Sequence, residues 1–153
     1  MTAIVCSVEI ARAPGEVYSY VTDPARFGEW QAGVIDGHIE PAGPVQVGSR
    51  CVMTRRIGGA DRTSTSVITE LTPPRTWTIH GIDGPIRADV SVQVEPNGDG
   101  SHSDVTISIE FAGHGFGKMI VPMVNRQARK EAPQNSQSLK KRLESGAAGE
   151  PER

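Results

Sequence analysis

The chain has 153 residues, 37% of them hydrophobic and 22% charged, with 17 Gly and 11 Pro, which is the make-up of one folded, turn-rich domain and excludes a wholly disordered chain. A net charge of −2 lacks the clustered basic surface that nucleic acid demands, so no nucleic-acid partner is expected. No apolar run approaches the roughly 20 residues of a membrane span, and Met1–Val5 lacks a signal peptide's basic start, so a cytoplasmic protein is expected.

The first element runs from Ile4 to Ala11, where Ile4, Cys6, Val8 and Ile10 alternate with polar residues as in a half-buried strand. Pro14 suits the first position of a helix, and Val17, Tyr20 and Val21 give that helix one apolar face. Asp23-Pro24 repeats the start signal for a second short helix carrying Phe27 and Trp30. Six strands follow, at Val34–Glu40, Ser49–Ile57, Arg62–Leu71, Thr76–Ile82, Ile86–Glu95 and Asp104–Phe111, and the short turns between them imply antiparallel neighbours. The sixth strand of the chain sets Ile86, Ala88, Val90, Val92 and Val94 on one face, and the seventh sets Val105, Ile107, Ile109 and Phe111, so the sheet has a dry face and a wet face. One long helix, Gly115–Ser145, covers the dry face through Ile120, Val124, Ala128, Ala132, Leu139 and Leu143, with a kink or break expected at Ala132-Pro133. Residues 1–145 make one domain and Gly146–Arg153 a disordered tail.

The order strand, two short helices, six strands, long helix resembles the helix-grip fold of the polyketide cyclase/dehydrase-like branch of the START-like (SRPBCC) superfamily. Ile10-Ala11-Arg12-Ala13-Pro14-Gly15-Glu16-Val17 is similar to that family's approach to the first helix. Val21-Thr22-Asp23-Pro24 and Phe27-Gly28-Glu29-Trp30 resemble its Asp and aromatic-Trp signature, and Val47-Gly48-Ser49, Thr69–Pro74 and Leu139–Glu144 continue the likeness. The resemblance implies an α+β domain: a seven-stranded antiparallel sheet wrapped around a C-terminal helix and enclosing an apolar cavity. It implies no shared catalytic set.

A twisted sheet wrapped on a helix leaves a concavity, and its expected walls are Met53, Trp77, Ile79, Val90, Val92 and Ile107 from the sheet. Trp30 stands at the mouth, and Met119 and Met123 come from the helix. The same side chains would otherwise pack a filled core. Arg55 is the most informative position, because the alternation Cys51, Met53, Arg55, Ile57 places a guanidinium on the apolar face; there it would pair with a ligand carboxylate or enolate, pair with a protein carboxylate, or lie beyond the cavity on the projecting end of the hairpin. The competing register, Arg50, Val52, Thr54, Arg56, turns Arg55 to water. Thr63, Ser64, Thr65 and Ser66 put hydroxyls on both faces of the next strand, whether for a polar ligand or for solvent.

None of the four histidines forms a metal-binding pair; His38 and His80 fall on wet faces, and His114, in a Gly-rich turn before the long helix, is the candidate general base. Cys6 and Cys51 lack CxxC spacing and read as buried free thiols. The basic runs Arg126–Lys130 and Lys140–Arg142 read as a solvated helix face. The expected function is binding of a small hydrophobic molecule (lipid, polyketide or aromatic metabolite), with no cofactor and no metal, by a monomer or homodimer. A cyclase or dehydratase using Arg55 or His114, and a protein-interaction module, are the alternatives.

Overall fold

A computed structural model describes residues 3–57 and 59–146. The elements in chain order are β1 (Ile4–Ile10), α1 (Pro14–Val21), a 3-10 helix (Pro24–Glu29), β2 (Val34–Glu40), β3 (Arg50–Ile57), β4 (Ala60–Thr72), β5 (Thr76–Gly81), β6 (Ile86–Asn97), β7 (His102–Gly113) and α2 (Gly117–Glu144). All seven strands form one antiparallel sheet in the order β1-β7-β6-β5-β4-β3-β2. The second short helix is thus a 3-10 helix: Asp23 caps it by accepting the Ala25 N–H at 3.1 Å, and with six residues it has too few turns to gain from α geometry.

Directly opposed residues share a face, so the register fixes what points inward. Val92 faces Ile107, Val90 faces Ile109, and Cys51 and Met53 face Ser66 and Ser64. The packed core lies at one end of this inner face, where Trp77, Val92, Val94 and Val105 meet α1, the 3-10 helix and Leu139 and Leu143 of α2. Phe27 stands edge-on between Trp30 and Trp77, at centroid distances of 5.8 and 6.1 Å.

The expected break at Ala132-Pro133 does not occur, since α2 runs unbroken through Pro122 and Pro133. Pro133 is exposed, so the carbonyl it leaves unpaired a turn earlier can be hydrated, and one lost hydrogen bond is tolerated. The C-terminal end of α2 is stapled to the end of β1. Glu144 accepts the Ala11 N–H at 2.9 Å, and Arg12 donates to the Glu144 carbonyl at 2.8 Å.

Two buried titratable groups yield predictions. The Tyr20 hydroxyl donates to Glu29 at 2.8 Å, and burial first, then that hydrogen bond, raises its pKa above the ordinary 10.0. The folded state therefore holds the proton more tightly than the unfolded chain. This contribution is fully present below pH 10 and is lost as pH rises through the folded value, so Tyr20→Phe will flatten the alkaline fall in urea midpoint. Burial also pushes the Cys51 thiol up to about 12. A maleimide will therefore label Cys51 only when the chain is unfolded, whereas the half-buried Cys6 will react in the native state.

Candidate functional site

β3 adopts the register that turns Cys51, Met53 and Arg55 inward; Cys51 and Met53 are buried, whereas Arg50 and Arg56 are exposed. Arg55 donates from Nη2 to Gln31 Oε1 at 3.0 Å. Burial lowers its pKa, while the Glu131 carboxylate on α2 pulls the other way, and a guanidinium so placed stays charged. Of its five N–H donors, the one on Gln31 is the only one with a protein acceptor among the described residues.

Gln31 belongs to a short segment stitched on both sides. Ala32 N–H donates to Asn135 Oδ1 on α2 at 3.1 Å, and the Gly33 carbonyl accepts the Arg56 N–H of β3 at 2.8 Å. The segment ties the hairpin half of the sheet to the middle of α2 and sets Gln31, Arg55 and Glu131 near one another.

Beside this polar group the inner face is incompletely covered. α2 is held down at its start by Gly117 and Val121 and near its end by Ser136, Leu139 and Leu143, all buried. Between these anchors its inward residues Val124, Ala128, Glu131 and Ala132 are only half-buried, and so are Ala88, Val90, Ile107 and Ile109 on the strands. Alanine at 128 and 132 keeps the helix surface shallow there. Ser66 is half-buried and Ser64 exposed, both on the inner face by register, so the lining turns from apolar on β6 and β7 to polar on β3 and β4. A separate recess of ≈ 440 Å³, walled by Glu29, Ser138, Lys141, Arg142 and Ser145, is polar and lies at the far end of α2.

The expected site residues divide into four groups. Trp30, Met53, Trp77, Ile79 and Val92 belong to the packed core. Val90, Ile107 and Arg55 face the incompletely covered space. Met119 and Met123 do not: they are 84% and 62% exposed, because Gly117 and Val121 set the helix phase and turn positions 119 and 123 outward. His114 is exposed in the turn before α2, its backbone N–H on the Pro85 carbonyl at 2.8 Å. From Gly117 to Glu131 the helix rises roughly 20 Å at about 1.5 Å per residue, which separates His114 from Arg55.

Gln31, Glu131 and Asn135 escaped the sequence reading. Their signal was the spacing Ala128, Glu131, Asn135, which places two polar side chains on the inward stripe of an otherwise apolar helix face. The Trp30 indole Nε1 is buried with no hydrogen-bond partner among the described residues. Trp30→Phe will consequently cost less stability than a usual Trp truncation, under about 2 kcal/mol by urea denaturation, because it removes an unpaired donor with its volume.

Similar folds occur in several solved structures. The Zhui aromatase/cyclase of Streptomyces sp. R1128 is 11% identical at a TM-score of 0.77, with 95% of each chain covered. A START superfamily protein of Mycobacterium smegmatis is 15% identical at a TM-score of 0.75, covering 94% of this chain and 97% of that one. The di-domain ARO/CYC protein BexL of the BE-7585A biosynthetic pathway is 17% identical at a TM-score of 0.73; 94% of this chain is covered, and it spans 47% of BexL, about half that protein's length. No curated protein matches the sequence. Residues 1–144 match the family described as polyketide cyclase/dehydrase and lipid transport. The helix gripped by a seven-stranded antiparallel sheet is the START-like fold, and by the match over residues 1–144 the chain belongs to the polyketide cyclase/dehydrase and lipid transport family.

Proposed function

We propose that this chain binds one small, largely apolar molecule between the middle of α2 and the sheet, with a carboxylate, carbonyl or enolate oxygen of that molecule on Arg55. The observation that carries this reading is Arg55: a charged group on the inner face of a strand, with a single protein acceptor for its five N–H donors among the described residues. Arg55 is half-buried, so its remaining donors are open to a ligand oxygen, and a hydrogen bond to a charged group is worth about 1.5–3 kcal/mol. Val90, Ile107 and Ile109 supply the apolar wall for a ring system or acyl chain, so a lipid, polyketide or aromatic metabolite is the class. Titration with anilinonaphthalene sulfonate, an aromatic anion, tests it: native protein should bind the dye at one saturable site and retain it in native mass spectrometry. Failure to bind any such anion would overturn the reading.

A catalytic use of the same site draws on Glu131, the carboxylate whose charge acts on Arg55. Arg55 would hold an enolate while Glu131 moves the proton of a cyclisation or dehydration. Incubation with a linear poly-β-ketone thioester checks this reading. Enzyme activity requires loss of water from the probe by wild type and not by Glu131→Gln; an unchanged probe leaves binding alone.

A further inference from the structure

The geometry of the outer face of α2 points to a docking surface for an anionic lipid bilayer, separate from the ligand site and independent of it. Phe116, Met119 and Met123 are 69%, 84% and 62% exposed, an unusual density of large apolar side chains in water within eight residues. Spacings of three and four put them on one line of the helix, opposite the buried Gly117 and Val121. Arg126 and Lys130, both exposed, continue that line by further steps of three and four.

Charge selects the partner. Between Glu110 and Glu131 the sequence carries Lys118, Arg126, Arg129 and Lys130 and no Asp or Glu, although the whole chain has a net charge of −2. Asp83 lies in the turn that abuts the start of α2, and its carboxylate is engaged by the Thr65 N–H at 2.8 Å. An apolar tip followed by cations on one helix face suits a segment lying at a bilayer surface: Phe and Met enter the acyl boundary while Arg and Lys meet lipid phosphates. A second copy of the chain offers this stripe no complementary charge, since the stripe carries Arg126 and Lys130 and no carboxylate.

Vesicle co-sedimentation of the full chain tests the surface. Wild type should bind phosphatidylcholine vesicles containing phosphatidylserine at least about tenfold more tightly than phosphatidylcholine alone, at roughly fivefold per cation near the surface, and lose that preference in high salt. M119E/M123E and R126E/K130E should each weaken binding roughly tenfold or more with unchanged melting temperature, since all four side chains are exposed. Absence of vesicle binding, equal binding to both vesicles, or undiminished binding by M119E/M123E overturns the proposal. So does a wild-type dimer in sedimentation equilibrium that M119E/M123E converts to monomer. Dye titration of M119E/M123E should match wild type, which keeps this result distinct from the fate of the ligand reading.

Discussion

Gly37→Ala will destabilise the fold by about 3 kcal/mol or more, a fall in melting temperature of roughly 6–12 °C for a chain of this length. A Cβ at position 37 would lie 2.3 Å from the Pro24 carbonyl oxygen and 3.0 Å from Met53 Sδ. The Met53 side chain can give a little, but the Pro24 backbone carbonyl cannot retreat cheaply. Gly37 is held in β2 against Met53 of β3, and Pro24 is buried at the start of a 3-10 helix whose cap is the Asp23 side chain. Lifting that helix would also carry away Gln31, the protein acceptor of Arg55, so the variant should lose dye binding along with stability. The internal control has the opposite sign: Gly15 lies in α1 with nothing within 4 Å of its would-be Cβ, and Gly15→Ala should gain about 0.5–1 kcal/mol. Urea denaturation of both variants checks the pair, and equal effects would show that crowding is not the cause.

The sheet was legible because its alternation is strict where it matters. Ile86 to Val94 and Val105 to Phe111 each permit one register with a dry face, and a slip by one residue would bury Arg87, Asp89 or Glu110. Pro14 and Pro24 marked both helix starts for local reasons, needing no knowledge of distant residues. β3 was ambiguous because Cys-Val-Met-Thr-Arg-Arg offers an apolar residue to either face and an Arg to both. Non-local pairing decided it: Cys51 opposes Ile39 of β2, and β2 carries an irregularity between Val34 and Asp36 that no local pattern announces. The start of α2 was misread for a related reason. Met119-Ile120-Val121-Pro122-Met123-Val124 is apolar on every side, so periodicity sets no phase, and the phase comes from Gly117, where a Cβ would lie 2.0 Å from the Pro85 carbonyl oxygen.

Arg55→Met will separate stability from function. Methionine keeps most of the side-chain length and apolar stem while removing the charge, so the desolvation that burdens the guanidinium disappears. Glu131 is not stranded by the change, since it is half-buried and still accepts a hydrogen bond from Gln127 at 2.8 Å. Stability should therefore hold or rise by up to about 1 kcal/mol. Binding of an anionic aromatic probe should fall roughly 10- to 150-fold, the equivalent of a charged hydrogen bond worth about 1.5–3 kcal/mol. Arg55→Lys should recover the charge without the planar fork and restore only part of that affinity. Gln31 occupies one of the five donors, and the half-buried Val124 and Ala128 of α2 lie in the incompletely covered stretch of the inner face. Ala128→Phe, filling that space, should then abolish dye binding while leaving Arg55 in place. Parallel melting curves and dye titrations of Arg55→Met, Arg55→Lys and Ala128→Phe decide the matter: a large loss of stability in Arg55→Met, with binding intact, would make Arg55 a structural residue.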